Sequence, residues 1–160
     1  MLTFEKITAY PRGTLARLLR DAYSFDPRWN ERYGAGFEEF DRFFYDNPNI
    51  ADSCGFVTVC DGQPIGHISW DPRTKPEYVR LGHNCVATEY KGNGYGKLQL
   101  IEAIRRISES CESRKIIVTT SQSLTAARHN YKRAGFMLTG IRENHEDSFS
   151  GDYYDYELIL

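Results

Sequence analysis

VRLGHNCVATEYKGNGYGKLQLIEAIRRI, residues 79–107, is the stretch that decides the fold. Its first part reads as a strand, because Val79, Leu81 and Val86 sit with small residues in an apolar run without helical spacing. Its last part reads as a helix, with Leu100, Ile104 and Ile107 on one face. Between them Gly92, Gly94 and Gly96 alternate with Asn93 and Tyr95, and residues lacking a Cβ let the backbone turn tightly and approach a ligand closely. The first-turn N–H groups of a helix have no partner inside it and point out of its positive end. Strand, glycine loop and helix N-terminus together predict an anion seat suited to a phosphate or pyrophosphate.

Two glycine patterns do not fit this loop. A P-loop needs four residues between its glycines and then Gly-Lys-Ser/Thr, whereas here Gly96-Lys97 is followed by Leu98 and no hydroxyl is placed for magnesium. The dinucleotide pattern Gly-x-Gly-x-x-Gly fails because position 97 is Lys. A third pattern does fit. Lys91-Gly92-Asn93-Gly94-Tyr95-Gly96, after Val86-Ala87-Thr88-Glu89-Tyr90, resembles the acetyl-CoA loop of the GNAT N-acetyltransferase superfamily, Arg/Gln-x-x-Gly-x-Gly/Ala after a strand ending in valine. Lys91 stands at the Arg/Gln place and keeps the positive charge. A second block, Ala127-Arg128-His129-Asn130-Tyr131-Lys132-Arg133-Ala134-Gly135-Phe136, resembles the family's Ala-x-x-x-Tyr-x-x-x-Gly-Phe segment, in the family's order.

The resemblance implies an acetyl-CoA-dependent acyltransferase that needs no metal and transfers directly, in a ternary complex, to a primary amine of a small molecule or peptide. It implies a cofactor seat made by the backbone N–H groups of Gly92, Asn93, Gly94, Tyr95, Gly96 and Lys97, with charge from Lys91 and Lys97. Val86 and Thr88 are expected to offer main-chain hydrogen bonds to the pantetheine arm. Tyr131 is the expected general acid, since a phenol of pKa about 10 can protonate a departing thiolate. Two departures bear on the site. Leu124 occupies a place that is often Asn in the family, with Ser123 or Thr125 as substitutes, and Arg80 occupies the place of the glutamate that some members carry on the central strand. His83 is then the candidate base, beside His67, Glu77 and a water-relayed path; a histidine titrates near about 6.5. Cys85 reads as a small core residue. The missing carboxylate and Leu124 favour a rival reading, a non-catalytic acyl-CoA-binding sensor or scaffold.

At 160 residues the chain reads as one domain over residues 1–160, long enough to bury about two thirds of its unfolded surface. A formal net charge of −2 argues against nucleic acid or an anionic membrane as partner. No apolar run approaches a membrane span, and the N-terminus lacks a signal-peptide core, so a cytoplasmic protein is expected. Cys54, Cys60, Cys85 and Cys111 form no C-x-x-C pair, and the histidines lack ligand spacing, so neither a disulfide framework nor a metal is expected. The family analogy allows a homodimer.

From the N-terminus, residues 2–8 read as a strand and Thr14 as the cap of a helix carrying Leu15, Leu18, Leu19 and Ala22. Residues 26–34 read as a looser polar segment with Trp29 and Tyr33, and Phe37, Phe40 and Phe44 then recur at helical spacing until Pro48. Asp61-Gly62 joins a hairpin. Residues 115–120 read as a buried strand, Ser121 or Ser123 as the cap of the next helix, and residues 136–143 and 153–160 as the last two strands. The fold class is mixed α/β: a GNAT-like, mostly antiparallel central sheet of about seven strands flanked by helices on both faces. The acceptor's determinants are expected near Pro27 to Phe44 and the last hairpin, with Trp29, Tyr33, Tyr153 and Tyr154 beside Glu31, Asp152 and Asp155.

Overall fold

The computed structural model describes residues 1–160. Seven strands, β1 (Leu2–Glu5), β2 (Gly55–Cys60), β3 (Gln63–Asp71), β4 (Val79–Val86), β5 (Lys115–Ser121), β6 (Met137–Arg142) and β7 (Tyr153–Ile159), form one sheet in the order β1-β2-β3-β4-β5-β7-β6. Five helices flank it: α1 (Thr14–Ala22), α2 (Pro27–Asp46), α3 (Pro48–Ser53), α4 (Tyr95–Ser110) and α5 (Thr125–Arg133). β4 and β5 pair in parallel at Val79↔Ile116 and Arg80↔Ile117, with α4 as the crossover that a parallel pair requires. β1 with β2, β2 with β3, β5 with β7 and β6 with β7 are antiparallel, so the expected mixed, mostly antiparallel sheet is the one observed.

The chain divides into two compact units, Met1–Ser69 with His83–Gln99, and Trp70–Gly82 with Leu100–Leu160. In the first, Leu18, Leu19, Ala22, Phe37 and Cys85 form a buried cluster, with Tyr23, Tyr33, Phe40 and Ala87 packed against it. The Asp61-Gly62 turn has positive φ at both residues, 48° and 80°, the twist that a two-residue hairpin needs. In the second unit Val79, Leu81, Leu100, Ala103, Ile107, Ile116, Val118, Tyr131, Phe136 and Tyr156 are buried.

Several local expectations are corrected. The first strand ends at Glu5, and Ile7–Ala9 is a 3₁₀ turn. Gly13, not Thr14, is the cap of α1, and the capping oxygens come from α2: Asp41, 3% exposed, accepts from the N–H groups of Gly13 (3.0 Å) and Ala16 (3.1 Å). Residues 27–34 are not loose. Asp26 accepts from the N–H of Arg28, Pro27 opens α2, and Trp29 is buried. Neither Ser121 nor Ser123 caps α5, whose N-cap is Leu124 with no side-chain bond. β5 is not uniformly buried, for Ile116 and Val118 point inward while Ile117 is half-exposed. Between β6 and β7, Asn144 and Asp147 fold the connection, their side-chain oxygens accepting from the N–H groups of Glu146 and Ser150.

Candidate active site

The glycine loop lies in the first unit, between the end of β4 and the first turn of α4. Gly92 and Gly94 have φ of 80° and 82°, and a Cβ built on either would meet nothing within 4 Å. The glycines therefore serve a left-handed backbone beside open space rather than relieving a clash. Asn93 folds the loop from inside, donating its amide to the carbonyls of Tyr90 (3.2 Å) and Lys91 (3.3 Å). The carbonyl of Gly94 accepts from the N–H of Leu98, so α4 begins directly after the loop and its first-turn N–H groups face out of it. Gly96 and Tyr95 are half-exposed and Lys97 is exposed. The Tyr95 ring meets Tyr90 edge to face at 6.2 Å, and its hydroxyl lies 3.5 Å from the Cys60 sulfur, which anchors this turn to the β2–β3 hairpin.

The 3₁₀ turn Thr88–Tyr90, between β4 and the loop, is tied to the end of α1. Thr88 donates its N–H to the Asp21 carboxylate (2.7 Å) and its hydroxyl to the Asp21 carbonyl (2.8 Å). Lys91 donates its ammonium to the Ala22 carbonyl and lies 4.9 Å from the centre of the Phe25 ring. A cation at a helix C-terminus is favourably placed. Partial burial nonetheless lowers the Lys91 pKa, an effect that Asp21 opposes. The N–H of Thr88, expected to serve a pantetheine arm, is thus engaged by Asp21, and the charge of Lys91 is turned to α1 rather than to the glycines. Ala87, just beyond half-buried Val86, donates its N–H to the Ile65 carbonyl (2.7 Å).

His83 sits in an aromatic nest, edge-on to Phe40 at 4.5 Å and to Phe37 at 5.8 Å, and burial pushes its pKa down to about 4. His67 stacks on Phe40 at 5.8 Å, fully buried, with neither ring nitrogen hydrogen-bonded; burial, then repulsion from His83, pushes it to about 3. Both rings are neutral at pH 7. The Cys85 thiol is buried and raised to about 12, so it is no nucleophile.

One residue here escaped the sequence reading. Gln99, fully buried near the N-terminal end of α4, accepts from the Thr58 hydroxyl (2.6 Å), and its two amide hydrogens are shared among three acceptors, the Asn84 side-chain oxygen (2.7 Å) and the carbonyls of His67 (3.0 Å) and Cys85 (3.2 Å). Its signal was available, since Gln99, Ala103 and Ile107 lie at successive i, i+4 positions on the buried stripe.

Tyr131 and Ser123 belong to the second unit. Tyr131 is 3% exposed, its ring 5.5 Å from Phe136 and 6.1 Å from Tyr156. Ser123 is exposed in the turn before α5, its N–H donated to the Ser150 carbonyl (3.0 Å). Arg80 is exposed and lies 5.6 Å from the Tyr78 ring centre. Asp155, expected to give an acidic lining, is held by Arg142 at 2.6 and 3.0 Å, which keeps its carboxyl below the usual range. No group of three His, Cys, Asp or Glu side chains is placed to hold a metal ion, and no helix is long and apolar enough to cross a membrane.

Residues 15–136 match the model of the Acetyltransferase (GNAT) family. No curated protein sequence matches the chain significantly. Solved structures share its fold. A ribosomal-protein-alanine N-acetyltransferase from Brucella melitensis superposes with a TM-score of 0.76 at 20% identity, covering 100% of this chain and 99% of that one. The ribosomal-protein-S18-alanine N-acetyltransferase from Escherichia coli gives 0.73 at 17%, covering 100% and 94%. A GNAT family acetyltransferase from Elizabethkingia anophelis, solved with acetyl-CoA bound, gives 0.70 at 18%, covering 100% and 97%.

Proposed function

Since the chain belongs to the GNAT acetyltransferase family, we propose that residues 1–160 act as one domain transferring an acetyl group from acetyl-CoA to a primary amine, directly and in a ternary complex. The observation that carries this reading is the pair Gly92 and Gly94, left-handed and open on their Cβ side, directly before the first turn of α4. That cradle fits a diphosphate, with the N–H groups of residues 92–97 as donors. Bound acetyl-CoA supplies an activated acyl group and a thiol leaving group.

The chain's own residues set which amine is served. Tyr131, by its motif position, is the proposed proton donor to the leaving thiolate. His83 is the proposed acceptor of the amine's proton, and its pKa of about 4 makes it a weak one. Neutralising a lysine-type amine at pH 7 costs roughly 4 to 5 kcal/mol, whereas an α-amine costs about 1. A weak base therefore favours the α-amine of a peptide over a lysine side chain, and two of the solved neighbours are named for acetylating ribosomal-protein alanine. The test is a panel of peptides and small amines with acetyl-CoA, read by release of free thiol. Turnover on α-amines above lysine-type amines is expected.

The rival reading, a sensor or scaffold that binds acyl-CoA without turnover, is favoured by Arg80 at the glutamate place and by the engagement of the Thr88 N–H. Calorimetric binding of acetyl-CoA with no thiol release on any amine supports it.

A further inference from the structure

A glutamine fully buried among strands needs a reason, because each of its polar atoms must be matched or costs stability. Gln99 is matched at every point, and its partners lie on three strands: Thr58 on β2, His67 on β3, Asn84 and Cys85 on β4. The space it occupies is made by Gly66, where a Cβ would come within 2.4 Å of the Cys85 carbonyl and 2.9 Å of the Gln99 side-chain oxygen. Gln99 is the fifth residue of α4, close in sequence behind Gly92 and Gly94. Cys85 immediately precedes Val86, where the proposed pantetheine contacts begin.

We propose that Gln99 is the positioning residue of the coenzyme seat: its side chain pins the N-terminal end of α4 to β2, β3 and the end of β4, so that the glycine loop and the Val86 strand end keep one fixed spacing. This rests on the coenzyme reading above. The carboxamide suits the task because one group both accepts from Thr58 and donates to strand carbonyls. An apolar side chain would fill the volume without the directional bonds that fix the register of helix and strands. The geometry demanded of a diphosphate cradle tolerates little sliding, since backbone donors must stay within about 3 Å of the phosphate oxygens to hydrogen-bond them.

Wild type, Gln99→Leu and the double variant Thr58→Val/Gln99→Leu are titrated with acetyl-CoA by calorimetry, and their thermal midpoints are measured alongside. In the double variant no hydroxyl is left without an acceptor, so its midpoint recovers part of what Gln99→Leu loses. Acetyl-CoA affinity is expected to stay at least about tenfold below wild type in both, the scale of one charge-assisted hydrogen bond lost from the cradle, because the pin is missing in both. Wild-type affinity in either folded variant overturns the proposal while sparing the coenzyme reading. Affinity that recovers in step with the midpoint also overturns it, reducing Gln99 to a stability role. Should Gln99→Leu fail to fold, Thr58→Val alone is the probe, with faster amide exchange over residues 92–99 expected and unchanged exchange overturning the proposal. Absence of acetyl-CoA binding by wild type itself removes the coenzyme reading and this inference together.

Discussion

The rings of Tyr131 and Phe136 meet edge to face at 5.5 Å across the end of α5, and the backbone joins the same two residues, Phe136 donating its N–H to the Tyr131 carbonyl at 3.0 Å. Gly135 between them has φ of 99° and donates to the Lys132 carbonyl, which completes the six-to-one and five-to-two bonds of a Schellman end with its hydrophobic contact. The Tyr-x-x-x-Gly-Phe spacing is thus what the helix terminus requires, and it fixes the backbone of Tyr131. Gly135→Ala places a Cβ in the left-handed region and is expected to cost about 1 to 2 kcal/mol in urea unfolding.

Tyr131→Phe keeps that ring contact and removes only the hydroxyl. Thiol release is expected to fall about 100-fold or more, with acetyl-CoA affinity and thermal midpoint near wild type. Unchanged turnover takes the acid role away from Tyr131 and leaves it a packing residue.

Asp41 stabilises a helix other than its own. With the N–H groups of Gly13 and Ala16 both resting on its buried carboxylate, Asp41→Ala leaves two donors without an acceptor at the start of α1. The expected loss is roughly 2 to 3 kcal/mol in urea unfolding, and Asp41→Asn, which keeps one acceptor, should lose less. Equal losses for the two variants would assign the effect to packing alone.

What could be read in advance was local. Asp61-Gly62 between β-rich runs, the spacing around Gly135, and the strand–glycine–helix order of residues 79–107 carry their own geometry, so the sheet and the loop were legible. The first half of α2 was not, because Asn30, Glu31, Arg32, Gly34 and Gly36 look like a loop, although Asp26-Pro27 is a start signal for a helix. Gly34 is a close-approach site, 2.9 Å from the Arg20 guanidinium to any added Cβ, and nothing local announces that. The partners of Lys91 and Thr88 lie 69 and 67 residues away in sequence, so the charge expected at the glycines turns to the end of α1 for a reason only the folded chain supplies.

Acid should unfold this protein early. His67 and His83 stay neutral in the folded state down to about 3 and about 4, while the unfolded chain takes up those protons near 6.5. Below pH 6.5 the unfolded state therefore binds more protons, and stability falls as pH falls, by roughly 1.4 kcal/mol per pH unit for each ring until its folded pKa is reached. His67→Phe keeps a ring against Phe40 and removes the buried unbonded nitrogens. Urea midpoints measured from pH 7.5 to 4.5 should fall less steeply in His67→Phe than in wild type. Parallel slopes would assign the acid loss to other groups.

Gly94→Ala separates the cost of a strained backbone from the cost of a blocked ligand. Its Cβ meets no atom of the protein, so the stability loss should be only the left-handed penalty, about 1 to 2 kcal/mol. The same methyl group projects into the space where a diphosphate would rest against the N–H groups of residues 94–97, and acetyl-CoA affinity should fall by about tenfold or more, beyond what the stability change explains. Gly36→Ala is the contrast, because that glycine also has open space at its Cβ but lies within α2; alanine there should raise stability by up to about 1 kcal/mol and leave acetyl-CoA affinity unchanged. If Gly94→Ala and wild type bind acetyl-CoA equally, the glycine loop is only a turn and the coenzyme must be held elsewhere.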